Sequence, residues 1–183
     1  MTYSVIAINK EDPDHYRLVS GFCKTIEAAE PNHPAASNMK YTDWGNNPAS
    51  VLFLLYNEQR LVPPTGQYFV LCNDMQTISA SGVYIKDSTA ILLVRTWTLK
   101  EFRTQYLLHE YLLPKQLEWA KANGATRAMI TVNEYNRGLL TIFKRAMKSE
   151  HHPMSKWYKN ATINDEPEMI QHTLQWTITF ALD

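Results

Sequence analysis

Residues 90–145 read AILLVRTWTLKEFRTQYLLHEYLLPKQLEWAKANGATRAMITVNEYNRGLLTIFKR. Residues 89–99 concentrate β-branched and aromatic side chains, the composition of a central strand covered on both faces. A helical stretch follows from about Gln105 to Asn123. It stops at Gly124, where a left-handed C′ residue ends a helix at no steric cost. Residues 127–133 read as a second buried strand. Residues 136–148 form a helix with Leu139, Leu140, Phe143 and Met147 on one face. Lys144, Arg145 and Lys148 fall in its last turns, where the helix dipole favours cations. Pro114 lies inside the first helix. An interior proline costs about 3 kcal/mol in a straight helix, so a bend or a division into two helices is expected there.

The flanking chain extends this pattern. Residues 3–8 are a first strand. Asp12 and Pro13 form a cap signal before a helix with Leu18, Val19, Phe22, Ile26 and Ala29 on one face. Residues 31–47 are rich in Pro, Asn, Ser and Gly and read as a long loop. Asn47-Pro48 repeats the cap signal, a second helix covers 49–59, and Pro63-Pro64-Thr65-Gly66 stops it. Residues 67–72 and 77–86 form a hairpin through Asn73-Asp74-Met75-Gln76. Residues 157–163 and 173–182 close the chain as strands. The order β-α-α-β-β-β-α-β-α-β-β predicts a mixed α+β, or α/β, fold: one sheet flanked by helices on both faces, in a single domain.

Composition narrows the function. A chain of 183 residues with 45% apolar and 20% charged side chains folds without disulfide or metal support. Its six glycines are scattered, the closest two 14 residues apart. This excludes the Gly-rich dinucleotide fingerprint, the Walker loop and the GxSxG elbow. Eighteen basic residues balance eighteen acidic ones, which argues against nucleic acid as a partner. Cys23 and Cys72 form no CxxC pair and read as reduced thiols. The N-terminus turns acidic after a short apolar run, and no apolar stretch is long enough for a bilayer. A cytoplasmic protein without membrane contact is the expectation.

A strand running through a loop into a helix N-terminus presents unpaired N–H groups and a positive dipole end, which suits a pyrophosphate. Lys100-Glu101-Phe102-Arg103 occupies such a loop. Trp119 and Gly124-Ala125 lie at the end of the helix, and Asn136 opens the next one with Phe143 seven residues on. Over residues 67–147 this spacing resembles the GNAT superfamily, the acyl-CoA-dependent N-acyltransferases. The hairpin matches the second and third strands of that family. The resemblance implies transfer of an acetyl or other acyl group from acyl-CoA to an amine, either a small molecule or a protein. It also implies that Arg103, Thr104, Gln105, Tyr106, Leu107 and Leu108 face the coenzyme pyrophosphate. Trp97, Thr98 and Leu99 would then pair with the pantetheine arm, and Asn136 would face that arm from the next helix. Homodimers are common in the family.

Two departures bear on competence. The loop glycines of the family correspond to Thr104, Tyr106 and Leu108, whose Cβ atoms crowd a phosphate. Phe143 stands where many members carry a tyrosine acid. A catalytically degenerate binding module with the same fold is therefore the rival reading. Glu134, at a strand end, is the candidate general base, with Asn136 beside it, and Glu101 is a weaker one. Tyr41 and Trp44 in the long loop are candidates for lining the acceptor site. His109, in the first helix turns, reads as a surface or packed histidine rather than a base. His151-His152 lacks metal-ligand spacing, so no metal is expected.

Overall fold

In the computed structural model, residues 2–29, 50–170 and 173–182 are described. The elements are β1 (Ser4–Ala7), α1 (Pro13–Ala29), α2 (Ser50–Tyr56), β2 (Gly66–Cys72), β3 (Thr77–Ile85) and β4 (Ala90–Thr98). A 3₁₀ segment (Lys100–Gln105) and a π-helical turn (Leu108–Leu112) lead into α3 (Leu113–Ala122). Then come β5 (Arg127–Asn133), α4 (Arg137–Lys148), α5 (Ser155–Tyr158), β6 (Thr162–Ile163), β7 (Glu168–Ile170) and β8 (Thr173–Ala181). The strands form one sheet in the order β1-β2-β3-β4-β5-β8-β6, with β7 also on β8. The β4–β5 pair is parallel, and the other pairs are antiparallel.

Local chemistry sets the boundaries. Asp12 Oδ1 accepts from Asp14 N at 2.9 Å and opens α1. Asn73 Oδ1 accepts from Met75 N and Gln76 N, an Asx turn that fixes the β2–β3 hairpin. Asp87 takes the amides of Thr89 and Ala90 at the start of β4. Its second oxygen meets Arg127 Nη2 at 3.2 Å, tying the start of β4 to the start of β5. Gly124 ends the α3 region at φ +82°.

One core lies between the sheet and α3, α4 and α5. It contains Leu71, Ile91, Leu113, Leu117, Phe143, Met154, Tyr158 and Ile178. A second, under α1 and α2, contains Phe22, Ile26, Val51, Leu55, Tyr68 and Val70. The two faces of the sheet are thus each sealed by helices, as the element order requires.

Pro114 neither breaks nor divides its helix. The turn before it is wide, and Leu113 N donates to Leu108 O. This π geometry absorbs the missing N–H and removes the clash with the carbonyl four residues back. Two expectations are corrected. Residues 157–163 are mostly not a strand: buried Met154, Ser155 and Tyr158 follow a helical spacing, and strand geometry is confined to β6. α2 ends at Tyr56 rather than Gln59: Glu58 N donates to Phe53 O five residues back, and Gln59 is left-handed at φ 55°. The long loop and its Asn47-Pro48 cap lie outside the described residues.

Candidate active-site crevice

Strands β4 and β5 pair only from Ala90 and Arg127 to Leu93 and Ile130. Beyond this point, among the described residues, Val94, Trp97 and Thr98 pair with β3 alone, and residues 131–133 pair with β8 alone. A V-shaped crevice therefore opens at the C-terminal ends of two parallel strands. Its cause is local. On β3 one residue, Ser81, stands against Arg95 and Thr96 on β4, where the register shifts. Arg95 takes φ +54°. A bulge of this kind bends its strand and increases the twist, and here it carries β4 away from β5.

Buried polar groups hold the bulge. Gln116, 1% exposed, donates from Nε2 to Ser81 Oγ at 2.8 Å and to Gly82 O at 3.0 Å. Ser81 and Thr96 share a hydroxyl bond of 2.7 Å. Tyr68 OH donates to Arg95 O at 3.3 Å from the opposite face. Ser79 Oγ bonds Thr98 Oγ1 at 2.8 Å and donates to Trp97 O at 2.9 Å. Sequence reading missed all of these groups except Trp97 and Thr98. The available signal was Gln116, a polar residue in an otherwise apolar stripe with Leu112, Leu113 and Leu117.

Helix starts frame the mouth. Arg103 Nε donates to Thr98 O at 2.9 Å, folding the side chain onto the end of β4. Arg103, Thr104 and Gln105 lie exposed in the 3₁₀ segment, whose own i→i+3 bonds use amides. Tyr106 is left-handed at φ 53°. The following ladder begins with His109 N and Glu110 N, both donating to Tyr106 O. The Leu107 and Leu108 amides precede that ladder at the positive end of the helix dipole. Leu99 is buried under the turn, and Trp97 is half-buried at the edge of the α1–α2 core. At the end of β5, Asn136 Oδ1 accepts from Leu139 N at 3.2 Å and caps α4. Two helix N-termini thus flank the crevice.

Glu134 follows the last β5 residue, and its N–H donates to Leu174 O. It lines a groove of about 330 Å³ between α4 and β8. Tyr41 and Trp44 lie outside the described residues. Phe143 is 3% exposed and meets the Tyr158 ring edge-on at 4.9 Å. Tyr158 also meets His109 and Phe180, so α5 wedges between the π-helical turn, α4 and β8. Burial, then the His152 and Lys156 charges, lower the His109 pKa to about 4. A larger groove, about 660 Å³, includes Phe180 and Ala181. Ala181 pairs with Arg127 at the start of β5, so this groove lies at the end of the sheet away from the crevice. No cluster of metal-ligating side chains occurs among the described residues. No helix there is long and apolar enough to cross a membrane.

No family model matches the sequence, and no curated protein is similar to it. Solved structures do match in fold. A GNAT family acetyltransferase from Staphylococcus aureus Mu50 aligns at a TM-score of 0.64 and 13% identity over 100% of both chains. A GNAT family acetyltransferase from Elizabethkingia anophelis, with acetyl-CoA bound, aligns at 0.56 and 13%, over 98% of this chain and 97% of that one. The aminoglycoside 6'-N-acetyltransferase from Enterococcus faecium aligns at 0.62 and 9%, over 98% and 97%. The chain therefore has the fold of the GNAT acetyltransferases.

Proposed function

We propose that the chain is an N-acyltransferase that moves an acyl group, acetyl in the simplest case, from acyl-CoA to an amine. The observation that carries this reading is the crevice between β4 and β5, with a helix start and its leading amides at the mouth. The end of β4 that β5 leaves unpaired, Trp97 and Thr98 leading into Leu99, is the proposed seat of the pantetheine arm, with the Thr98 amide on the open side because Leu99 N donates to Ile78 O across β3. The Leu107 and Leu108 amides receive the pyrophosphate, and Asn136 faces the arm from α4. The acetyl-CoA bound to the structural neighbour supports a coenzyme of this class.

In the proposed reaction the amine nitrogen attacks the thioester carbonyl, forming the C–N bond. A β4 amide stabilises the oxyanion. The C–S bond then breaks, and the electron pair leaves on sulfur. Glu134 accepts the ammonium proton, directly or through water. Phe143 has no proton to give, so sulfur departs as a thiolate, which a pKa of about 8–9 allows. The acceptor is an amine on a small molecule or a protein, and a homodimer is compatible with the reading.

The second reading is a binding module. Side chains at Thr104, Tyr106 and Leu108, together with Phe143, favour it. Thermal denaturation with acetyl-CoA separates the two. A ligand at a hundredfold its Kd stabilises by about 2.7 kcal/mol, so acetyl-CoA should raise Tm by several degrees. Release of free thiol in the presence of an amine panel should then follow. No stabilisation at millimolar acetyl-CoA would rule out the acyltransferase.

A further inference from the structure

We infer that the groove beside Glu134 receives an anionic group, a carboxylate or a phosphate, carried by the amine acceptor. The inference rests on the acyltransferase reading and adds the substrate class. Three observations converge on the groove. Register gives the first. Val132 stands opposite Trp176 on β8, and the β5 ladder ends at Asn133 opposite Gln175. The next pair along is Glu134 and Leu174, and Leu174 in turn stands opposite Met169. Directly opposed residues share a face of the sheet. Glu134, Trp176 and Met169 therefore lie on the face that α4 covers, and Glu134 begins one residue beyond the crevice wall.

The second observation is charge. Arg137, Thr141 and Lys144 from α4 line the groove opposite Trp176 and Pro167. Positions 137, 141 and 144 fall on one helix face. Among the described residues Arg137 and Lys144 form no ion pair. The Lys144 ammonium is instead held over the Trp176 ring at 5.1 Å. Two cations thus point into one concavity with a single carboxylate, Glu134, at its head. The third observation is exposed apolar surface on the same face. Met169, which the register puts on the groove side of the sheet, is 68% exposed and offers a seat for the body of an amphipathic molecule. An acceptor anchored by its anion between Arg137 and Lys144 sets its amine toward Glu134 and the crevice.

The test uses the full chain labelled with 5-fluorotryptophan, the Trp176 resonance being assigned with Trp176→Phe. It is titrated at constant ionic strength with O-phosphoethanolamine, γ-aminobutyrate and 1,4-diaminobutane. The expected result is a saturable Trp176 shift with one or both anionic amines and none with the diamine. The stronger of the two anionic arms identifies phosphate or carboxylate. Arg137→Gln or Lys144→Gln should weaken that binding about tenfold or more. No saturable shift with either anion overturns the inference. So does an equal response to the diamine, or unchanged affinity when Arg137→Gln and Lys144→Gln are combined. Acetyl-CoA stabilisation of the unsubstituted chain is measured in parallel. If it is present without the Trp176 shift, the groove inference alone falls. If it is absent, the acyltransferase reading falls and takes the acceptor assignment with it.

Discussion

The Tyr106 position offers a stringent test of the proposed anion loop. Its φ of 53° is left-handed, a conformation that costs a side-chain-bearing residue about 1–2 kcal/mol. Its ring meets His152 edge-on at 5.8 Å, a contact worth about 0.5–1.5 kcal/mol. Tyr106→Ala loses the ring contact and keeps the backbone cost. Tyr106→Gly loses the same contact and releases that cost. The glycine variant should therefore be the more stable of the two by about 1 kcal/mol, the reverse of the usual order at negative φ. In a chain of this length that is a Tm gap of about 2–4 °C. Against the unsubstituted protein, the alanine variant should lose about 1 kcal/mol and the glycine variant should stay close to it. Urea denaturation and thermal melting both read the difference. The glycine variant should also bind acetyl-CoA more tightly than the alanine variant, because a bare backbone lets phosphate approach the Leu107 and Leu108 amides. Equal stability, or a more stable alanine variant, would refute the left-handed turn and the loop geometry built on it.

Three further predictions concern the scaffold. Gly66→Ala would place a Cβ 2.3 Å from Arg60 O and 2.5 Å from Val83 O. It should destabilise by about 2–4 kcal/mol in urea denaturation. His109 titrates near 4 in the folded protein, below its ordinary 6.5, so the unfolded chain binds more protons between these values. Stability should fall as pH drops from 6.5 toward 4, by at most about 3 kcal/mol. His109→Gln should flatten that segment of the pH profile, and an unchanged slope would refute the assignment. Among the described residues the buried Tyr158 hydroxyl has no hydrogen-bond partner. Tyr158→Phe should therefore raise stability by about 1 kcal/mol, whereas a loss of that size would reveal a hydroxyl bond.

Much of the fold was legible because local signals and burial agreed. Residues 127–133 are a strand to the residue. Asn136 caps its helix and Gly124 ends the preceding one, since both depend on chemistry within a few positions. The α5 turn was misread because its aromatic residues look β-like in isolation. Their helical spacing has meaning only when Tyr158 is set against His109, Phe143 and Phe180. The gap between two strand ends was legible as the place of a candidate site, and the bulge beside it was not. Position 95 carries no sequence mark of a bulge, because arginine is an unfavourable choice for a positive φ. What holds it comes from Tyr68, Ser81 and Gln116, distant in sequence. The proposal places the pyrophosphate on the Leu107 and Leu108 amides rather than on all of Arg103–Leu108, because the earlier positions form a 3₁₀ segment, and that segment depends on how β4 enters the turn.

The central claim is that the gap between β4 and β5 is the acyl-donor site. Backbone amide exchange, or amide NMR shifts, with and without acetyl-CoA tests it directly. Protection should rise at residues 94–98, at Leu107 and Leu108 and at residues 131–133, while the larger groove around Trp157 and Phe180 stays unchanged. Binding of acetyl-CoA that leaves those amides unprotected, or protects the other end of the sheet, would contradict the account.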